Sequence, residues 1–301
     1  MITTEIKTET NLLRENSFKI IGNLTKADVT TGIAKNGKAF VSVNAEVQSQ
    51  YNGYTHEFTK IKFFAFELTK NGEKNKLYES YIGLDKMIGN KVEIDGEIRE
   101  NRYFSPNLNQ IVSSQEFSAK FVKSVSNATQ DTGTFTLGGF LVKTPVEKVN
   151  KDGDVYRYEV SIGQANYNGT MASMFNLHID PNRRDVLSSV ESLYAVGDTV
   201  QLGGSLDFRV ENVMIESKET AFGTPVTRMI SRKQSNFYIE SGLNPIVDES
   251  SYSMEKIQEL INTYKANDVT IQQEATSKAS TSPAPTMNVA PTVTKRQASL
   301  L

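Results

Sequence analysis

An internal repeat is the feature that most limits what this 301-residue chain can fold into. Residues 88–98, Ile-Gly-Asn-Lys-Val-Glu-Ile-Asp-Gly-Glu-Ile, recur at 196–206 as Val-Gly-Asp-Thr-Val-Gln-Leu-Gly-Gly-Ser-Leu. In both copies a glycine turn leads into a strand that carries an apolar residue at every second position. Because self-similarity at a fixed spacing indicates a duplicated structural unit, we expect one type of domain to occur twice.

Further matches extend the repeat towards the beginning of each copy. Phe18, Ile20, Gly22 and Leu24 correspond to Phe135, Leu137, Gly139 and Leu141, at a constant offset of 117 (135 − 18). The string Tyr-Asn-Gly at 51–53 also recurs at 167–169. We therefore assign the copies to 16–126 and 134–243, with a linker at 127–133, and each copy is long enough to bury its own core.

The hydrophobic pattern predicts the same series of elements in both copies, namely three strands, a helix and two strands. Phe18–Leu24 and Val41–Val47 alternate with period two, as strands do. In the first copy Leu77, Tyr81, Leu84 and Ile88 follow helical spacing. Five short strands with a helix between the third and fourth are typical of the OB-fold, a small Greek-key barrel. The sequence thus predicts a mainly all-β chain of two tandem five-stranded OB-fold barrels.

The two ends differ in composition from the repeated units. Residues 1–15 are polar and mixed in charge, which predicts a flexible arm. Ile257, Leu260, Ile261 and Tyr264 predict one short amphipathic helix within 244–267. From residue 268 to 301 the chain is rich in Ser, Thr, Ala, Pro and Gln without periodicity, which predicts a disordered tail.

Composition limits the compartment and the chemistry. The chain has no cysteine, which excludes disulfides, thiolate metal sites and cysteine nucleophiles. No apolar run approaches the roughly 20 residues that span a bilayer, and the N-terminal residues lack the apolar core of a signal peptide. We expect a cytoplasmic protein without a membrane partner, acting in the host cytoplasm if a phage encodes it.

No pattern in the sequence supports catalysis. The two histidines, His56 and His178, have no metal-ligand spacing, and neither a P-loop nor a Gly-x-Ser-x-Gly motif is present. The acidic pair Asp152 and Asp154 lies in a turn, where aspartate is favoured for backbone reasons. The sequence therefore predicts a protein that is not an enzyme and that uses neither a cofactor nor a metal.

Four segments of the first copy carry a resemblance to a known family. They are Ile-Ile-Gly-Asn-Leu at 20–24, Asn-Gly-Lys-Ala at 36–39, Lys-Phe-Phe-Ala-Phe at 62–66 and Gly-Asn-Lys-Val-Glu-Ile-Asp-Gly-Glu-Ile at 89–98. In order and spacing this copy resembles the bacterial-type single-stranded-DNA-binding proteins, and residues 134–241 resemble them more faintly. The resemblance implies OB-folds that bind single-stranded DNA in replication or recombination. Tandem domains in one chain suggest a divergent phage or plasmid relative.

The third strand of the first copy supports the same function from its residues alone. Lys60, Lys62, Phe64 and Phe66 share one face, whereas Ile61, Phe63 and Ala65 share the other. Lysines neutralise phosphates, and aromatic rings stack on bases at about 1–3 kcal/mol each without reading sequence. This face is predicted to bind nucleic acid. The alternative is that Phe64 and Phe66 pack as core beneath the loop 68–80.

Other candidates follow from the resemblance. Tyr51 stands where the family often carries a stacking tryptophan, Tyr167 repeats it, and this chain has no tryptophan. The residues after the fourth strand, Arg99, Arg102, Tyr103 and Phe104, occupy the place of a basic and aromatic DNA-binding loop in that family. The complete set of predicted binding residues is Lys38, Tyr51, Tyr54, Lys60, Lys62, Phe64, Phe66, Arg99, Arg102, Tyr103, Phe104, Arg157, Tyr167 and Arg209.

Charge and composition distinguish the two copies. Residues 16–126 carry 15 Lys/Arg against 12 Asp/Glu, whereas residues 134–243 carry 11 against 13. The third strand of the second copy has no lysine pair, so this copy either binds nucleic acid or packs against the first one. Its candidates, beyond those in the binding set, are Arg183, Arg184, Phe208, Arg232 and Lys233.

The sequence thus predicts non-enzymatic, largely sequence-independent binding of single-stranded DNA through stacking and phosphate contacts. Two alternatives stay open, a structural or assembly protein of a virion or complex built from tandem β-barrels, and an accessory subunit of an enzyme. For the tail, we predict that 295–301 docks a replication or recombination protein, the alternative being a solubilising tail. Assembly into a homo-oligomer is also left open.

Overall fold

The computed structural model describes residues 12–216 and 227–281, and within them ten of the twelve strands belong to one continuous sheet. The strands of the first half are β1 (Asn16–Ile33), β2 (Ala39–Tyr51), β3 (Tyr54–Phe66), β4 (Lys91–Ser105) and β5 (Gln110–Ser124). Those of the second half are β6 (Thr132–Val149), β7 (Val155–Ala165), β8 (Ala172–Ile179), β9 (Thr199–Asp207), β10 (Val210–Glu216), β11 (Thr227–Lys233) and β12 (Asn236–Gly242). The helices are α1 (Lys76–Ile82), α2 (Arg184–Leu193) and α3 (Met254–Thr281).

Each half closes into a five-stranded barrel. In the first barrel the strand order is β2-β3-β5-β4-β1, and pairing of β1 with β2 closes it. In the second barrel the order is β6-β7-β8-β12-β9, and pairing of β6 with β9 closes it. The third and last strands run parallel in both, as β3–β5 and β8–β12. The predicted pair of OB-fold barrels is confirmed. At the repeat offset of 108 (196 − 88), β4 corresponds to β9 and the start of β10, so the hairpin β10–β11 is the counterpart of the outer part of the β4–β5 hairpin, present here as a separate two-stranded sheet.

The sequence repeat is also a repeat of strand register. Phe18 lies opposite Gly96 in the first barrel, and Phe135 lies opposite Gly204 in the second. The register of β1 shifts between Leu24 and Lys26, and that of β6 shifts at the two positions 117 residues later. Since a bulge re-aims a strand, the two barrels bend their first strands at the same place.

The repeated glycine of each first strand permits close contact between backbones. A Cβ atom on Gly22 would lie 2.4 Å from the carbonyl oxygen of Gln48, and one on Gly139 would lie 2.2 Å from that of Gly163. No side chain fits at such a distance, so glycine is required where β1 and β6 cross onto their neighbours.

The barrels are fused through pairing of β1 with β6 and through a shared aromatic core. The ring centroids of Phe117 and Phe208 lie 5.3 Å apart, and those of Phe208 and Phe237 lie 5.7 Å apart. Thr132 and Gly133, expected to belong to a linker, already pair with β1. The strand continues into the linker because these residues complete the junction between the barrels.

The helix predicted over Leu77–Ile88 is shorter than expected. It ends at Ile82, Gly83 follows it, and Leu84–Met87 form a separate turn of 3-10 helix. Tyr81 and Leu84 are buried, as the spacing predicted, but Ile88 is exposed. Gly83 ends α1, so Ile88, the last residue of the predicted helical spacing, lies beyond the helix.

The N-terminal arm, predicted to be flexible over 1–15, is packed at its described end. Leu12 is buried in a cluster with Phe140, Tyr252 and Leu260. The backbone N–H of Leu13 donates to the carbonyl of Ser250 over 2.8 Å. Residues 12–15 are thus part of the folded body because apolar burial fixes them, and residues 1–11 lie outside the described residues.

The C-terminal helix extends beyond its predicted end. Helix α3 continues to Thr281, although disorder was expected from residue 268. Gln, Glu, Ala and Lys in 272–278 are good helix formers, and Asp268 is anchored by an ion pair with Arg102. The remainder of the tail, with the docking segment predicted at 295–301, lies outside the described residues.

Candidate nucleic-acid interface

A bulge in β3 decides which side chains the first barrel presents to solvent. Val47 lies opposite Phe58 and Ala45 opposite Ile61, so β3 holds one extra residue between them. Lys60 adopts a left-handed backbone with φ of 61°. Because the bulge restarts the alternation, Phe58 and Ile61 both point into the core although they are three residues apart.

Beyond the bulge, β3 shows the two faces that its sequence predicts. Ile61, Phe63 and Ala65 are buried, whereas Phe64 is 53 % exposed. Phe64 contacts a ring on each side. Its centroid is 5.7 Å from that of Phe40 in a stacked arrangement and 5.1 Å from that of Phe66 in an edge-to-face one. We call Phe40, Phe64 and Phe66 the aromatic triplet; it is an open apolar surface rather than a core beneath the loop 68–80.

Cations surround the aromatic triplet on the same side of the sheet. Lys62 Nζ lies 2.5 Å from a Glu116 carboxylate oxygen, Lys120 pairs with Glu97, and Arg99 lies 3.7 Å from Glu97. These three cations are each about half exposed or more, so the ion pairs add little stability. The outer face is defined as the aromatic triplet together with Lys62, Lys120, Arg99 and the exposed Tyr103.

Two members of the outer face are missing from the predicted binding set. Phe40 faces outward because it alternates with the buried Val41 and Val43 along β2, a signal that the sequence carries, and it lies opposite Phe66. Lys120 is the extra residue of a second register shift, where Gly96 pairs with Ala119 and Asp95 with Phe121. The second shift has no signal in the local pattern of apolar residues, because Phe117, Ala119 and Phe121 keep period two across it.

Arg102, predicted to bind DNA, is instead enclosed by α3. Its side chain is 9 % exposed and pairs with Asp268. Its guanidinium carbon lies 3.5 Å from the ring centroid of Tyr264, and its Nε lies 3.6 Å from Glu100. The prediction for Arg102 is therefore corrected, since this side chain attaches the C-terminal helix to β4. Phe104 on the same strand is half-buried.

Tyr51 also lies away from the outer face, at the contact between the barrels. Its hydroxyl donates to the carbonyl of Leu206, and its ring stacks on His56 with centroids 3.9 Å apart. Burial raises the pKa of Tyr51, and burial lowers the pKa of His56. His56 Nδ1 accepts the N–H of Phe208 over 3.2 Å. Tyr51 thus joins the two barrels, rather than forming the open stacking position implied by the resemblance.

Tyr54 and Arg209 meet at the same contact. The guanidinium carbon of Arg209 lies 4.3 Å from the ring centroid of Tyr54, and two of its nitrogens each lie 2.7 Å from the Asp207 carboxylate. Tyr54 keeps 54 % of its surface exposed. The structure brings these two predicted residues together, on a wall between the barrels and not on the outer face.

The second barrel has a polar network where the first has lysines and aromatic rings. Arg157 donates to Asn236 over 2.9 Å and lies 3.8 Å from Glu159. His178 Nδ1 accepts the N–H of Phe237 over 3.2 Å, and burial lowers the pKa of His178 to about 3. Because these side chains are engaged in this way, the described residues of this barrel present no equivalent of the outer face.

The remaining candidates are scattered. Tyr167 is 81 % exposed in the β7–β8 turn, with the guanidinium carbon of Arg14 at 5.1 Å from its ring centroid. Lys38 is exposed in the β1–β2 turn. Arg183 pairs with Asp185, and Arg184 donates to the Tyr158 hydroxyl. Phe208 packs against the shared core, whereas Lys60 and Lys233 line a groove between the barrels. The side chain of Arg232 lies outside the described residues.

The described residues contain neither a metal-binding cluster nor a membrane-spanning helix. Within 12–216 and 227–281, no group of three or more His, Cys, Asp or Glu residues is arranged to hold a metal ion. None of the helices in the described part of the chain has the length and apolar character to cross a bilayer.

Comparison with known proteins gives one family model and several solved structures of low sequence identity. A family model described as YorF matches residues 14–281. No curated protein matches the chain. The single-stranded DNA binding protein from Thermus aquaticus is 13% identical, with a TM-score of 0.47, over 80% of this chain and 98% of that one. The small single-stranded DNA-binding protein from Streptomyces coelicolor is 16% identical, with a TM-score of 0.27, over 38% of this chain and 96% of that one.

Proposed function

The chain belongs to the YorF family, and from its outer face we propose that it binds single-stranded DNA, largely without regard to sequence and without catalysing a reaction. The observation that carries the proposal is the exposed aromatic triplet bordered by Lys62, Lys120 and Arg99. In the cell, this activity would coat exposed strands during replication or recombination.

The aromatic triplet supplies the contacts to bases. Phe64 is 53 % exposed and held between two neighbouring rings, so its position is fixed before any ligand arrives. Every base offers a flat face, and stacking on a ring is worth about 1–3 kcal/mol per base without selecting sequence. In a duplex these base faces are already stacked on one another, so the triplet favours single strands.

The cations supply the contacts to phosphates. Lys62, Lys120 and Arg99 each pair with Glu97 or Glu116 on the solvent-exposed surface, and such pairs are worth at most about 1 kcal/mol. A phosphate can replace the carboxylate at little cost. Because binding then releases counterions from the strand, affinity falls as salt rises.

Fluorescence anisotropy with labelled oligo(dT), titrated at several salt concentrations, tests the proposal. We expect binding that weakens with salt, a similar affinity for a mixed-sequence strand, and much weaker binding of a duplex of the same length. Affinity confined to one sequence, or equal affinity for duplex, contradicts it. A chain that binds no strand but forms concentration-dependent oligomers in ultracentrifugation favours the assembly role instead.

A further inference from the structure

A groove of about 210 Å³ separates the first barrel from the base of the β10–β11 hairpin. One wall comes from β3 and β5 of the first barrel, and the other comes from the second barrel. Both walls are polar, and both carry a lysine. Lys60, Gln115 and Glu116 line the first wall, and Phe208, Arg209 and Lys233 line the second.

The two lysines of the groove differ from the cations of the outer face. Lys60 and Lys233 are exposed, and no carboxylate of the described residues lies within ion-pair distance of either. By contrast, Lys62, Lys120 and Arg99 all have acidic partners. Two unpaired ammonium groups around one groove favour an anion between its walls.

The acidic residues of the groove do not neutralise these lysines. Glu116 is engaged by Lys62 at 2.5 Å and by the Asn101 amide at 2.7 Å. Arg209 is engaged by Asp207. Glu57 is exposed and lies within ion-pair distance of neither lysine, so its single negative charge offsets only one of their two positive charges. Lys60 and Lys233 therefore leave a surplus of positive charge for a ligand.

The groove also offers an apolar floor and a hydrogen-bond donor. Phe208 is partly exposed there and packs on Phe117 with centroids 5.3 Å apart. The side-chain Nε2 of Gln115 is buried and has no acceptor among the described residues. Cations, a ring and an amide donor are the groups that bind a sugar-phosphate backbone with its bases.

The groove is continuous with the outer face, because Glu116 lines it and Lys62 on the outer face pairs with that same carboxylate. We propose that a single strand crossing the outer face continues into this groove, where Lys60 of the first barrel and Lys233 of the second bind its phosphates. This inference rests on the proposed function and makes the binding site a joint property of both barrels.

The corresponding position on the other side of the molecule is covered. At the offset of 108 between the repeated fourth strands (196 − 88), Glu100 and Arg102 correspond to Phe208 and Val210. Glu100 accepts a hydrogen bond from the Tyr264 hydroxyl, and Arg102 pairs with Asp268, so α3 occupies that side. One groove is open and its counterpart is filled, which gives the strand a single path between the barrels.

The test uses the full chain with Lys60→Gly, Lys233→Ala and the double substitution, against oligo(dT). Glycine adopts the left-handed backbone of position 60 without strain, so the first change removes only the side chain. Lys86→Ala, an exposed lysine of the 3-10 turn, is the matched control. Thermal unfolding of each variant should match that of the unmodified chain.

Each groove substitution should weaken binding about fivefold at 0.1 M salt and lower the slope of log affinity against log salt by about 0.7, the value for one phosphate of a single strand. Lys60→Asn, which also tolerates the left-handed backbone, should reproduce Lys60→Gly. Lys86→Ala should change neither quantity.

The outcomes separate this inference from the proposed function. If the unmodified chain binds oligo(dT) and Phe64→Ala weakens binding, but the double groove variant keeps the original affinity and salt slope, the groove is not part of the path. If the unmodified chain binds no single strand, the proposed function and the groove proposal both fail.

Discussion

Phe18 pairs with Phe135 in the antiparallel register of β1 and β6, although the two residues hold the same position in the two copies. Two equivalent residues can pair in this way only if the barrels are related by an approximate twofold axis through the pair. The chain therefore has the symmetry of a dimer within one polypeptide. That symmetry is broken where α3 covers one side.

The glycines opposite these two phenylalanines should be intolerant of any side chain. A Cβ on Gly96 would lie 2.3 Å from the carbonyl oxygen of Ser118 and 2.7 Å from the Phe18 ring. We expect Gly96→Ala to lower the free energy of unfolding by about 3 kcal/mol, because backbone and ring must both move. Urea unfolding measures it, with Gly83→Ala as control, since the nearest atom to that Cβ is 4.0 Å away. Equal stability of the two variants would contradict the close contact.

The outer face of the first barrel should contribute more to binding than exposed rings of the second. We expect Phe64→Ala to weaken oligo(dT) binding about 5- to 100-fold, the loss of one stacked base. Tyr156 is 48 % exposed on β7 and provides the matched truncation, Tyr156→Ala, which should leave affinity unchanged. Anisotropy titrations at one salt concentration compare them. A larger loss for Tyr156→Ala would place the interface on the second barrel.

Two arginines three residues apart should behave in opposite ways. Arg102 is 9 % exposed beside Glu100, which is 3 % exposed, so Arg102→Ala leaves the buried charge of Glu100 without its cation and should cost about 3 kcal/mol of stability. Arg99 is 66 % exposed, so Arg99→Ala should leave stability within about 0.5 kcal/mol and reduce the salt dependence of binding instead. Denaturant unfolding and binding assays on both variants check this. Unchanged unfolding of Arg102→Ala would show that α3 is not held by this residue.

Stability should fall on mild acidification because of His178. Burial, and then Arg157 and Lys148, lower its pKa from 6.5 to about 3 in the folded chain. Between pH 6.5 and pH 3, His178 is protonated in the unfolded chain but stays neutral in the folded chain. The stability present above pH 6.5 is therefore lost progressively as the pH falls towards 3. Between pH 7 and pH 5 the loss from this residue should be about 2 kcal/mol.

The variant His178→Asn isolates this effect. Its side-chain oxygen can accept the Phe237 N–H that His178 Nδ1 accepts at 3.2 Å, but it does not titrate. Urea unfolding at pH 7 and pH 5 should therefore show a smaller difference for the variant than for the unmodified chain. If the two chains lose the same stability, His178 is not the group responsible.

The local pattern of residues was sufficient to predict the two barrels and the β3 part of the outer face. The alternation of Ile61, Phe63 and Ala65 against Lys62 and Phe64 is visible in the sequence because a strand has period two, and all three apolar members are buried. The repeat likewise predicted two barrels, because equal strings of apolar residues and glycines fold into equal strands. These properties depend on neighbours along the chain, so the sequence by itself determined them.

Tertiary structure decided the rest. Lys120 reaches the outer face only through a register shift, since Gly96 pairs with Ala119 but Asp95 pairs with Phe121. Arg102 is withdrawn from solvent by Asp268, a residue 166 positions further along the chain, and Tyr51 is held by Leu206, 155 positions away. Bulges and long-range contacts form because the complete packing of the chain must bury apolar surface and leave few polar groups unpaired. No local pattern of residues encodes that choice.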